Sequence, residues 1–532
     1  MTETLKKYKI WEPLLLSAMV VIGMIAGAKL VQSEHQPNKP ETAITNAHYS
    51  GRQVEEIIRF LETKYVNDIE TDALVENAIQ AIMQGLDPHT HYFPPDQMNE
   101  IEERNVGHYV GIGVEVAFFR DSLIILYPRD NSPAARAGLK PGDFVLAVNG
   151  REITDDTLKQ KEILELIRGI KGTKVKLTVK SILDSNIRTV EVTREEIKVP
   201  SVVAGYMLDS AVAYVKIQRF TNSTYREFMD QWERLATSHH AEDLILDLRD
   251  NPGGYLKEAV NILSQIMEEE GKLLVYTEGE HQKRIEYKST GKVFFPVRNV
   301  TVLINEGSAS ASEIIAGCIQ DQDRGLIIGT RSYGKGLVQE QYELSNGGIL
   351  RLTISKYFTP SGRLIQKAYD TTTSVVDTNV IFRTTSGRPV YAGGGILPDL
   401  IVKDAIDWSQ PEPKAWMDII SEYAIRYNLL HHQGALVPID QIHEVMKDLP
   451  ANEIILRDLS DLAAKLKKED GQKLLAYLEA KQEDIIRIAQ ATMVAYRTGE
   501  EGWYIAYNEH DPVVQKARSM VKLDLLLALK AK

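Results

Sequence analysis

Cysteine is almost missing from this chain of 532 residues: Cys318 stands alone, so no intramolecular disulfide can form. Its spacing from Ile314, Ile315 and Ile319 on one helical face reads as a small core residue rather than a reactive thiol. A chain this long holds a core without disulfides, so the lack is compatible with an oxidising compartment. Metal-ligand spacing is lacking too. Asp87, His89 and His91 form an incomplete set on one short turn, with no CxxC or HExxH, and no metal or other cofactor is expected. The histidine pairs at 239–240 and 431–432 read as solvated loop and helix-end positions. Positive charge is not in excess: the formal net charge is −12 and basic residues are interspersed with acidic ones. That pattern excludes an electrostatic footprint for nucleic acid or for an anionic membrane surface. Internal repeats and long low-complexity stretches are absent.

One apolar run stands out. Lys6, Lys7 and Lys9 precede an apolar stretch from Leu14 to Ala28, and a polar, proline-containing segment follows through Glu41, which is the plan of an export signal. Ala26 and Ala28 offer an AxA-like cleavage site, while an uncleaved anchor near the short end of the spanning range fits equally well. Either way the basic flank stays in the cytoplasm. The body is expected in the bacterial periplasm or cell envelope, touching the membrane only through this segment. Residues 1–32 are read as signal peptide or anchor, and 33–49 as a linker.

The chemistry concentrates in SASASEI at 308–314 and YGKGLVQ at 333–339. VTVLIN, from Val300 to Asn305, reads as a strand buried on both faces, Ile314 to Ile319 as a helix, and LIIG at 326–329 as a strand again, which makes a βαβ unit. Ser308, Ser310 and Ser312 then cluster at a helix N-terminus, where orphan N–H groups and the helix dipole favour an anion. Serines at helix starts are most often caps, and one of the three fits that role. Lys335 shifts the balance, because its flanking glycines let backbone pack closely and hold the amine toward the serines. A lysine base must be neutral, so its pKa has to fall by roughly three units, about 4 kcal/mol, which burial can supply. No histidine lies near either motif, so a Ser/His/Asp triad is not visible locally.

SASASEI followed by QDQDRGLIIGTRSYGKGLVQ resembles the core of the carboxy-terminal processing proteases, or tail-specific proteases, which are Ser/Lys serine peptidases. The resemblance implies Ser310 as nucleophile, Lys335 as general base and Gln339 as the residue that orients the lysine. LDLRDNPGG at 246–254 resembles the segment that supplies an oxyanion N–H, which implies Gly253 or Gly254, with Gly254 favoured, and Ala311 as the second donor. LDPHTHYF at 86–93, YFTPSGRLIQ at 357–366 and GILPDL at 395–400 also match, with a longer insertion over 367–393.

Residues 109–116 read as a glycine-punctuated strand, 131–150 as a short helix and turn into a strand, 158–170 as a helix, and 174–181 as an alternating strand. Together they look like a PDZ domain. N–H groups around Gly111, Ile112 and Gly113 suit a chain-terminal carboxylate, and a peptide can add a strand to the sheet edge. Ile112 and Val114 would line a pocket for an apolar C-terminal residue. Arg168 matches an arginine in that part of the family's PDZ domain and is a candidate for regulation.

Gly329 to Lys335 opens like a P-loop, but Gly336 stands where Ser or Thr should hold magnesium, and a strand pattern follows where a helix is required. The fold expected is α/β. It has a layered ClpP/crotonase-like protease core at 182–404, an inserted PDZ domain at 106–181, an N-terminal helical cap or dimerisation region at 50–105, and a helical extension at 405–532. Stripes such as Leu474, Leu475, Leu478 and Ile485 make that extension a packing element, whose role the sequence leaves open between self-association, covering the active site and binding an accessory protein. The function expected is an exported serine endopeptidase that binds apolar protein C-termini and cuts near them. The alternatives are a non-catalytic peptide-binding scaffold and a nucleotide-dependent enzyme; a homo-oligomer or an activator as partner is left open.

Overall fold

The computed structural model of this protein describes residue 19 and residues 50–97, 107–119, 122–129, 131–153, 159–181, 186–368, 380–407, 410–466 and 468–523. The N-terminal apolar run apart from residue 19, the linker up to residue 49 and the middle of the 367–393 insertion lie outside the described residues. The chain divides into two units, Met1–Ile79 and Gln80–Lys532. The first contains the helix Ser50–Lys64, on which Val54, Ile57 and Phe60 are exposed. Among the described residues no helix is long and apolar enough to cross a membrane.

A six-stranded sheet forms the centre of the second unit. Val202–Met207 runs antiparallel to Val212–Ile217, and Asp243–Asp247, Asn299–Ile304, Gly325–Gly329 and Leu400–Ile401 follow in parallel. Parallel strands need helical crossovers and bury both faces, which is why these segments read as continuous apolar runs. One face carries Ala213, Val215, Leu246, Val302 and Ile327 against Phe228 and Trp232 of the helix Thr224–Ser238, Ile262 of Leu256–Ile266, and Ile315 and Cys318 of Ala311–Asp321. A second, antiparallel sheet of His91–Phe93, Glu270–Gly279, Gln282–Thr290, Leu337–Glu343 and Ile349–Phe358 adds Leu274, Val275 and Tyr357 to the same cluster. LDPHTHYF therefore ends in a strand of the core layer, with Tyr92 in register with Leu350.

The opposite face of the central sheet is covered from the far end of the chain. Tyr214, Ile245, Leu303 and Ile328 pack against Val513, Val514, Ala517 and Met520 of the helix Pro512–Met520. Burying a large apolar side chain contributes about 1.5–3 kcal/mol, so this helix is a structural layer of the peptidase core. The rest of the extension, from the helix Pro411–His432 to the helix Glu500–Asn508, has its own core, which includes Trp416, Ile455, Leu474, Leu478 and Ile485.

The expected strand over 109–116 is two strands, because Gly113 at φ 73° turns the chain. His108–Gly111 pairs with Glu195–Lys198, while Val114–Phe119 is an edge strand beside Ser122–Pro128. This PDZ sheet continues past residue 181. Ile187–Thr193 pairs along Lys174–Ser181 and adds Val190 and Val192 to its core, which the short run TVEV did not advertise. The outer face of the sheet rests on the extension, where Ile124 packs with Ile425 and Leu429. Leu429→Asp places a charge in this contact. It should raise amide exchange over residues 123–128 while leaving exchange of the strand Asp243–Asp247 unchanged; equal protection in both proteins would show that this contact does not hold the PDZ sheet.

Candidate active site

The segment between Asn299–Ile304 and Ala311–Asp321 separates its three serines by environment. Ser308 is fully buried, its hydroxyl donating to the Leu248 carbonyl at 2.8 Å and accepting from the Asn305 N–H at 2.9 Å. Ser312 is also fully buried and donates to the Asn251 carbonyl at 3.0 Å. Ser310 is half-buried at the N-cap position, with φ 55° and ψ −113°. Such backbone strain on a non-glycine residue costs about 1–3 kcal/mol and is kept only where surrounding contacts hold it. Those contacts are the Ser310 N–H donating to Glu313 Oε2 at 2.9 Å and the Tyr357 hydroxyl donating to the Ser310 carbonyl at 3.1 Å.

Lys335 leads directly into the strand Leu337–Glu343, so the GKG loop opens no helix for phosphates to meet. Its Nζ donates to Gln339 Oε1 at 2.9 Å, and Gln339 Nε2 donates to the His89 carbonyl. A carbonyl only accepts, so the His89 contact fixes which end of the amide faces the lysine. Burial, with the Arg351 guanidinium nearby, depresses the Lys335 ammonium below its ordinary value, while Asp87 and Glu313 pull it back up. The His89 carbonyl was not foreseen, since a backbone group leaves no mark in side-chain pattern.

Glu313 was also missed. It is fully buried, and its carboxylate accepts four hydrogen bonds: from Ser332 Oγ (2.6 Å) and the Gly334 N–H (2.7 Å) on Oε1, and from the N–H groups of Ser310 (2.9 Å) and Lys335 (2.8 Å) on Oε2. One oxygen thus holds the backbones of both motifs. Burial pushes this carboxyl up to about 7 against the pull of those donors. The sequence signal was the spacing Ser310-x-x-Glu313, a capping-box pattern at a helix start.

The glycines after Asp247 reach the same place. A Cβ on Gly253 would lie 2.7 Å from Ser310 Cβ and 2.9 Å from the Ala311 nitrogen, and one on Gly254 would lie 2.0 Å from the Phe220 carbonyl oxygen, so neither site tolerates a side chain without a shift. The Gly253 N–H is engaged by Asn251 Oδ1 at 2.8 Å. The N–H groups of Gly254 and Ala311 have no hydrogen-bond partner among the described residues. Two uncommitted donors beside a helix N-terminus can receive a developing oxyanion. A cleft of about 730 Å³ opens beside the loop that precedes Lys335, lined in part by Ser332, Tyr333, Lys367 and Tyr391.

In the PDZ unit Gly111, Ile112 and Gly113 are buried, and Ile112, 1% exposed, lies in the domain core with Val114 packed partly against it. The Ile112 side chain turns inward to the domain core, and its carbonyl accepts the Ala134 N–H at 2.9 Å. Arg168 ends the helix Gln160–Ile167, stacks 4.7 Å from the centre of the Tyr109 ring, and brings its Cγ to 3.9 Å from the place of a Cβ on Gly111. Among the described residues no group of three His, Cys, Asp or Glu side chains is arranged to hold a metal ion.

Comparison with known proteins gives the following likenesses. The family model for peptidase family S41 matches residues 211–375, and a PDZ domain model matches residues 124–181. A carboxy-terminal-processing protease of Bartonella bacilliformis is 34% identical over 315 residues, 58% of this chain and 71% of that protein. A probable CtpA-like serine protease of Staphylococcus aureus is 33% identical over 347 residues, 65% of this chain and 67% of that one. The solved structure of a photosystem II D1 C-terminal processing protease aligns over 66% of this chain and 87% of that chain, with 25% identity and a TM-score of 0.37.

Proposed function

Because the chain belongs to the carboxy-terminal-processing serine proteases of peptidase family S41, we propose that it is an exported endopeptidase that cuts proteins near their C-termini through an acyl-enzyme on Ser310. Neutral Lys335 takes the Ser310 proton as Oγ attacks the scissile carbonyl. The N–H groups of Gly254 and Ala311 hold the oxyanion. The resulting lysinium protonates the leaving amine, and water, deprotonated by the same lysine, releases the acyl group and restores the serine. Gln339 directs the Lys335 lone pair by accepting from its amine. The observation that carries this reading is the shared clamp: Glu313 Oε2 accepts the backbone N–H of both the nucleophile and the base residue.

The substrate tail is bound at the PDZ edge strand Val114–Phe119, which among the described residues has a neighbour on one side only, with its carboxylate at Gly111–Gly113 beside Arg168. The apolar run from Leu14 to Ala28 sends the body across a membrane into the periplasm or cell envelope. The test is cleavage of an unfolded protein with an apolar C-terminus by residues 33–532. A free tail should be cut faster than an amidated one, and Ser310→Ala should cut neither. Cleavage by Ser310→Ala, or equal rates on both tails, would defeat the catalytic or the recognition half respectively.

A pH dependence follows from burial of the base. Only neutral Lys335 accepts a proton, and its folded-state pKa is depressed, so the active form appears at lower pH than for a free lysine. The rate of fluorophosphonate labelling of Ser310 should climb with pH, with a midpoint below 10.5. A flat profile would remove Lys335 as the base.

A further inference from the structure

We propose that Asp511, carried by the helical extension, is a positioning residue for the oxyanion loop Asp250–Gly254, so that the C-terminal helices complete the peptidase site rather than decorate it. The inference rests on the Ser310/Lys335 reading above. It starts from Arg249, which leaves the strand Asp243–Asp247 immediately before that loop and is 8% exposed. Every polar part of Arg249 is held. Its Nε donates to Asp247 Oδ1 and Oδ2 at 3.1 and 3.0 Å, and Nη2 to Oδ2 at 2.6 Å. Its backbone N–H donates to Asp247 Oδ1 at 2.9 Å, and its carbonyl accepts from Lys216 Nζ. Nη1 is left for Asp404 Oδ1 at 3.0 Å and Asp511 Oδ2 at 2.8 Å, the latter 262 positions along the chain.

Past Arg249 the chain is tied at its other end to the serine segment. The Asn251 carbonyl accepts the Ala309 N–H at 2.9 Å and the Ser312 hydroxyl at 3.0 Å, and Asn251 Oδ1 accepts the Gly253 N–H at 2.8 Å. The loop that places the Gly254 N–H is thus strung between the Arg249 cluster and the Ser310 segment. Asp511 is 1% exposed and serves two elements at once. Its Oδ1 accepts from the N–H groups of Val513 (2.8 Å) and Val514 (3.3 Å), capping the helix that covers the central sheet, while Oδ2 grips Arg249. The matched peptidase segment ends at residue 375, so this grip comes from a part of the chain the family match does not include.

The two roles of Asp511 can be separated. Asparagine and serine cap helices about as well as aspartate, but neither offers a charged acceptor to the guanidinium, and an asparagine amide that keeps the cap turns its NH₂ toward Nη1. Asp511→Asn and Asp511→Ser should therefore keep the helix cap, at some cost in thermal stability from the lost Arg249 contact, while lowering kcat and leaving KM unchanged. Losing one oxyanion donor outright costs about 10²–10³-fold, and a displaced donor costs a part of that, so the expected loss is about tenfold. A peptide aldehyde, whose adduct with Ser310 carries the oxyanion, should lose affinity by a similar factor. The experiment is run in the full chain beside Ser310→Ala. Parental kcat and aldehyde affinity in both Asp511 variants, with Ser310→Ala inactive, overturn the positioning role alone. Cleavage by Ser310→Ala overturns the reading beneath it. A change in KM or in thermal unfolding with kcat preserved assigns Asp511 to the helix cap only and also overturns the proposal.

Discussion

Lys335→Arg should stop peptide cleavage, by roughly 10⁴-fold or more, as the loss of a nucleophile or its base does in acyl-transfer sites where these groups act as a unit. Arginine keeps a positive charge and donors for Gln339 Oε1, which Lys335 meets at 2.9 Å, but a guanidinium does not shed its proton in proteins. The substitution therefore separates the base role from mere electrostatic support of Ser310. Lys335→Ala should lose as much, and Ser310→Ala the same again, with no further loss in the double variant. The measurement is the single-turnover rate of peptide cleavage. A Lys335→Arg protein within tenfold of the parent would mean that another group takes the serine proton. His89, whose carbonyl accepts from Gln339 Nε2, is one such group, and burial with Lys335 nearby lowers its pKa.

Glu313→Ala should have the second largest effect, through geometry rather than chemistry. The substitution removes the acceptor of four donors in a buried place, and each unsatisfied buried donor costs about 1–3 kcal/mol. Relaxation will relieve part of that by moving the Ser310 backbone out of its strained conformation and the GKG loop away from it. A displacement of about 1 Å in reacting groups costs about 10²-fold, so turnover should slow by about two to three orders of magnitude, with folding stability also reduced. Glu313→Gln keeps one oxygen for two of the donors and turns an NH₂ against the others, so it should fall between parent and alanine. The check is kcat together with thermal unfolding for both variants. Parental kcat in a folded Glu313→Ala protein would show that the dyad is held without the clamp.

Much of the site was legible because its parts are local. SASAS, GKG and the glutamine four residues later lie close together in the chain, and the strand–helix–strand pattern around them is carried by apolar spacing. Which of the three serines stays half-buried was not local. Ser308 and Ser312 are spoken for by the carbonyls of Leu248 and Asn251, 60 and 61 positions away, and only the packed loop reveals it. Gly254 over Gly253 was favoured on resemblance, and the physical distinction is that Asn251 Oδ1 takes the Gly253 N–H. That the Ile112 side chain joins Leu123 and Val145 in the PDZ core is likewise a matter of packing in space.

By itself the sequence determined the α/β class, the βαβ unit bearing Ser310, the PDZ module and the chemistry to look for, because periodicity and short motifs are written in neighbouring residues. VTVLIN also reads as buried on both faces, while the role of the helical extension stayed open. The tertiary structure alone decided what covers the second face. The role falls to the helix Pro512–Met520, with Asp511 at its start reaching Arg249, because burial on both faces and pairing of a buried guanidinium depend on proximity in space, which apolar spacing along the chain does not encode.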